Sequence, residues 1–159
     1  MKQILLIAFS AIILMAGCES GANDTRDTIL DDTSTATIAE AITAEIEIPS
    51  AVGKKTEDME FFISELDTSG IIELSYLICA SGAYPDELLI IKFKTSTDAA
   101  AARSAVQGRS DSQKETFRDY APAEMYKFDD AAVQVNSNWL FFYITENNAK
   151  VKEIINSYL

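Results

Sequence analysis

Apolar positions recur along this chain at two periods, and the switches between them mark the elements. Ile38, Ala41, Ile42 and Ile46 fall at helical spacing, behind the hydroxyls of Thr33, Ser34 and Thr35 that suit an N-cap, and Pro49 marks the exit. A second, short helix fits residues 56–66, with Met59, Phe62, Ile63 and Leu66 on one face and a turn at Asp67-Thr68-Ser69-Gly70. Residues 71–79 then alternate as a strand, with Ile72, Leu74, Tyr76 and Ile78 on one side and Glu73, Ser75, Leu77 and Cys79 on the other. Residues 87–94 form a second strand after a loop holding Gly82 and Pro85. Thr95-Ser96-Thr97-Asp98 opens a long helix over 98–120 whose inward stripe reads Ala99, Ala102, Val106, Gln113, Phe117 and Tyr120, and Pro122 ends it. A hairpin over 131–136 and 139–145 turns at Asn136-Ser137-Asn138. A last helix starts near Glu146 and uses Val151, Ile154 and Ile155.

The order is thus α-α-β-β-α-β-β-α. Adjacent strand pairs with short connections favour antiparallel pairing. The expected fold class is α+β, a four-stranded, mainly antiparallel sheet with helices packed on one face.

The N-terminal segment has a different pattern. Lys2 is followed by an almost unbroken apolar run from Ile4 to Met15, then Ala16, Gly17, Cys18 and the acidic Glu19. A basic start, a short apolar run and small residues make a secretory signal, and the run falls short of the ~20 residues a spanning helix needs. The ending Ala16-Gly17-Cys18 resembles the lipobox of bacterial lipoproteins, with Met15 where leucine is usual. That resemblance implies a diacylglyceryl group on the Cys18 thiol and cleavage between Gly17 and Cys18. The chain then divides into a signal peptide at 1–17, a lipidated cysteine with a flexible acidic tether at 18–33, and a globular domain at 34–159. Two acyl chains anchor a protein stably where one does not. The expected location is the extracytoplasmic face of the cell membrane, held through lipid on Cys18.

Glu87 to Phe93, the long helix closing with Gln113, Phe117, Tyr120 and Pro122, then Ala132-Val133, Val135, Asn138-Trp139-Leu140 and the final helix resemble the DUF4358 family. The resemblance runs from about Ile38 to Leu159, with Trp139 where the family has tyrosine. It implies a small lipoprotein domain of the kind common in clostridia and related Firmicutes. It brings no active site, because the family has no known function.

Charge and composition narrow the chemistry. The chain has 159 residues, 25 acids against 13 bases, a formal charge of −12 and no histidine. Loss of residues 1–17 would remove Lys2 and leave 12 bases against 25 acids, a charge of −13. Such a body opposes nucleic acid and anionic lipid, so the lipid must do the anchoring. Without histidine there is no Ser-His or Cys-His nucleophile and no histidine-ligated metal site. No phosphate loop, nucleophile elbow or spaced ligand cluster is present, so no catalytic residue, metal or cofactor is expected. Cys79 is the one thiol left after lipidation, and a buried strand position suits it.

One aromatic pattern stands out. Trp139, Phe141 and Tyr143 alternate on one face of the last strand, and Tyr76 lies in an earlier strand. If helices cover only one face of the sheet, these four are a candidate binding face. If other helices cover the second face, the strand is central and doubly buried. The expected function is non-enzymatic: a binding or accessory domain for a protein or cell-wall partner. The alternative is a small carboxylate-dependent enzyme acting on glycans or cell wall.

Overall fold

A computed structural model describes residues 32–159; the signal peptide, Cys18 and most of the tether expected from the sequence lie outside the described residues. The domain is a five-stranded antiparallel sheet with helices on both faces. The helices are α1 (Thr35–Thr43), α2 (Met59–Phe62), α3 (Ser96–Tyr120) and α4 (Asn148–Asn156). The strands are β1 (Ala51–Lys54), β2 (Ile71–Cys79), β3 (Glu87–Phe93), β4 (Ala132–Asn136) and β5 (Trp139–Ile144), in the order β1-β2-β3-β5-β4.

The α+β class with antiparallel strands stands, but the sheet has five strands rather than four. The additional strand, β1, pairs with the outer edge of β2, Ala51 opposite Cys79 and Lys54 opposite Tyr76. Its residues are mostly exposed, so it carries no apolar alternation to betray it. The helix expected over 56–66 is a 3-10 turn at Thr56–Asp58 followed by a single turn, α2. The chain becomes extended at Ile63, and Ile63 and Leu66 still reach the core. After α3 the chain continues as a 3-10 segment, Pro122–Phe128, with proline in its first turn.

The two faces have separate cores. On one, Tyr76, Leu89, Ile91, Leu140 and Phe142 meet Ala102, Val106 and Phe117 of α3 together with Met59 and Ile63. On the other, Leu88, Ile90, Trp139, Phe141 and Tyr143 meet Ile38 and Ile42 of α1 and Val151 and Ile155 of α4. Every residue of β5 is buried, as is every residue of β3 except the partly exposed Lys92. This is the signature of central strands covered on both sides. Helices on a single face was therefore the wrong expectation.

The chain enters the domain at one end of the sheet. Lys92 Nζ donates to the Thr33 carbonyl at 3.5 Å, and the Thr35 amide donates to Glu73 Oε1 at 3.1 Å. Glu73 and Lys92 pair across β2 and β3 near the β4–β5 turn. The loop joining β2 to β3 lies at the opposite end, about 20 Å away at about 3.4 Å per residue along β2. α3 starts after β3 and runs back toward that far end, where Arg109 and Gln113 reach Glu87 at the start of β3.

Candidate functional site

The aromatic face does not exist as a surface. Trp139 is 2% exposed, and Phe141 and Tyr143 are fully buried beneath α1 and α4. Trp139 and Phe141 stack parallel at 6.0 Å between centroids. Tyr76 is buried too, but on the opposite face under α3. The three residues of β5 therefore share one covered face, Tyr76 lies on the other, and none of the four faces solvent. Alternation reports which residues share a face, and it is blind to what covers that face. Gly17 and Cys18 lie outside the described residues.

What the structure does bring together is a buried polar network at the loop end of the sheet. Glu87 opens β3, ahead of four apolar residues, and points at α3. Its carboxylate accepts from the Tyr76 hydroxyl at 2.5 Å, from Arg109 Nη2 at 3.1 Å and from Gln113 Nε2 at 3.2 Å. Arg109 and Gln113 stand four residues apart on α3, so both project from the same face. Burial works to lower the Arg109 pKa, but the charge and hydrogen bonds of Glu87 outweigh it and hold the guanidinium more basic than usual. Burial, then the Glu87 charge, pushes the Tyr76 phenol well above its ordinary range.

A second buried pair adjoins the first. Lys127 Nζ, on the 3-10 segment, lies 2.6 Å from Asp86 Oδ2 and 2.9 Å from Glu124 Oε2. Burial raises the Asp86 carboxyl above the usual range despite Lys127. Burial alone would lower Lys127, but hydrogen bonds and charge from Asp86 and Glu124 raise it. Asp86 Oδ1 is buried with no hydrogen-bond partner among the described residues. Asn148 ties the same segment down, donating to the carbonyls of Lys127 at 2.7 Å and Asp129 at 2.9 Å.

Between these pairs and the β2–β3 loop lies a cleft of about 310 Å³, lined by Cys79, Tyr84, Asp86, Gln113, Thr116 and Phe117, among others. Cys79 is buried and its Sγ lies 3.2 Å from Ser81 Oγ. Burial raises the thiol pKa, but hydrogen bonds from Ser81 and from backbone amides of the loop prevail and lower it. Tyr84 is 43% exposed at the rim, with Lys127 Nζ 5.1 Å from its ring centroid and 6.0 Å from that of Tyr126. Tyr120 and Tyr126 are exposed at the same end of the molecule. Among the described residues no group of three or more cysteine or acidic side chains is placed to hold a metal ion, and no helix is long and apolar enough to cross a membrane.

The sequence contained a signal for this site. Arg109 and Gln113 continue the inward stripe of α3 between Val106 and Phe117, where apolar residues belong. Polar groups on a buried stripe demand a buried partner.

Residues 55–145 match the model of the DUF4358 family, a domain of unknown function, and the chain belongs to that family. The matched segment runs from just before α2 through β5 and holds the whole buried network; α1, β1 and α4 lie outside it. No curated protein and no solved structure matches this chain.

Proposed function

We propose that this protein is a lipid-anchored extracytoplasmic lipoprotein of the kind found in Firmicutes, and that its domain is a non-enzymatic binding or accessory module. The observation that carries the binding reading is the position of the cleft. The chain enters beside Glu73 and Lys92, while the cleft and the exposed Tyr84, Tyr120 and Tyr126 lie at the other end of the sheet. A tether from Cys18 arriving at the entry end leaves the cleft end free to meet a partner. The lipobox-like Ala16-Gly17-Cys18 supports the anchor. The strongly acidic body supports lipid, rather than charge, as the means of attachment.

The catalytic alternative draws on one observation: Asp86 and Glu87 adjoin the cleft, and burial raises the Asp86 carboxyl. Against it, both acids are tied to cations, Asp86 to Lys127 and Glu87 to Arg109. A general acid must be free to give up its proton to substrate. The enzyme reading would require Asp86→Asn to abolish turnover of a wall glycan.

The anchor is tested by fractionation and mass spectrometry. Wild type should partition with membranes and carry a diacylglyceryl-modified N-terminal cysteine, and Cys18→Ala should appear in the soluble fraction. A mature N-terminus at Glu19 or beyond, or a variant that stays on the membrane, overturns the reading.

A further inference from the structure

We infer that the cleft between the β2–β3 loop and α3 binds a neutral sugar unit, with Tyr84 as its stacking wall and Asp86, Gln113 and Thr116 as its hydrogen-bonding partners. This deepens the binding reading above and rests on it.

Three features choose the ligand. The first is size: about 310 Å³ is at the lower end of the ~300–1,000 Å³ of small-molecule sites. The second is the supply of hydrogen-bond acceptors. Asp86 Oδ1 is buried without a partner, and such an orphan costs stability until a donor reaches it. Gln113 spends its Nε2 on Glu87, which leaves its amide oxygen as an acceptor. Thr116 gives its proton to the Ser112 carbonyl at 2.9 Å, so its oxygen also accepts. A ligand bearing several O–H or N–H donors on one edge satisfies this wall.

The third feature is charge. Asp86 shares Lys127 with Glu124, and Glu87 is paired with Arg109, so each cation beside the cleft is already held by carboxylates and the cleft offers no net attraction to a phosphate group. A hydroxyl-rich, uncharged ligand fits where an anionic polymer does not. The aromatic groups complete the match. Tyr84 and Phe117 line the cleft, and an aromatic face packs against the C–H face of a pyranose ring, while Tyr combines an apolar body with a polar tip. Tyr126, whose ring like that of Tyr84 lies near the Lys127 ammonium, would extend the aromatic surface to a second sugar of a chain.

The test uses the full chain in detergent, titrated calorimetrically with neutral tetrasaccharides of glucose and of N-acetylglucosamine. The cationic tetramer of glucosamine and inorganic phosphate are the charged comparisons. At least one neutral tetrasaccharide should bind at millimolar concentration or below. Tyr84→Ala should weaken it by about tenfold, as loss of one aromatic contact does, and Thr116→Val should weaken it less. Circular dichroism of both variants should match wild type, since neither residue is in the core. Absence of binding by either neutral tetrasaccharide overturns the inference, as does binding untouched by both substitutions or tighter binding of the glucosamine tetramer or phosphate. If no sugar binds but a cross-linker placed at position 84 captures a surface protein in cells, the sugar inference fails and the binding reading stands. If neither occurs, both fail.

Discussion

Glu87 is buried to 1% exposure and is held by three side chains from two other elements. Removing one partner of such a cluster strands the others in a dry environment. Glu87→Leu should therefore cost about 3–5 kcal/mol in urea denaturation, because Arg109 and the Tyr76 hydroxyl lose their acceptor. Arg109→Leu should cost at least as much, since it leaves the 1%-exposed Glu87 carboxylate with neutral donors alone, whereas the arginine stranded by Glu87→Leu retains 20% exposure and can meet water. In the double variant an apolar pair replaces the ion pair, and its cost should fall well below the sum of the two. A strictly additive cycle would mean that the two side chains are not coupled. Half of this cluster is legible in the sequence: Gln113 falls on the inward stripe of α3, and Arg109 fills the gap in it. The contact with Glu87 is not legible, because it joins residues 22 apart in sequence through the packing of a helix on a sheet. Tyr120, on the same stripe, faces solvent instead. α3 ends there and the chain turns away at Pro122 into the 3-10 segment.

At the scale of elements, the sequence speaks where a run of apolar residues is buried or where caps are strong. β2, β3, α3 and the β4–β5 hairpin appear within a residue or two of their expected places. α3 is the clearest case. Thr95 Oγ1 accepts from the Asp98 amide at 3.1 Å and donates to Asp98 Oδ2 at 2.8 Å, so the residues that predict the start also hold it. Thr95→Ala should cost about 1 kcal/mol, read as a lower denaturation midpoint with an unchanged slope. β1 leaves no pattern in the sequence because it is an edge strand of four mostly exposed residues with Gly53 in its middle. Only its hydrogen bonds to β2 make it a strand. The helix expected at 56–66 failed for another reason. Its apolar spacing fits one helical face, yet the core accepts the same residues from a single turn and an extended exit, with Glu65 at a positive φ of 68°.

At the scale of the whole molecule, the buried titratable groups act together. The folded-state pKa values of Lys127, Tyr76 and Tyr143 are all raised, the two phenols chiefly by burial and Lys127 by its acidic partners. The folded chain therefore keeps protons that the unfolded chain releases near their ordinary values of about 10. Their contribution is fully present below that pH and is lost as pH climbs through the higher folded values. Urea midpoints should fall above about pH 10, after a small rise at lower pH as the Cys79 thiol, more acidic in the fold than in the unfolded chain, ionises. A midpoint that rises above about pH 10 would contradict the burial of these groups.

Trp139 turns this architecture into an instrument. It is the single tryptophan of the chain, sealed at 2% exposure between α1, α4 and the ring of Phe141. The Lys92 ammonium sits 5.0 Å from its ring centroid. Its emission belongs to a dry, ordered site near the point of chain entry, at the opposite end of the sheet from the cleft. Loss of the fold floods that site with water and moves the light to the red. A ligand seated beside Tyr84 leaves it untouched. One native fluorophore thus separates unfolding from occupancy without a label, and every denaturation experiment above can be followed through its emission.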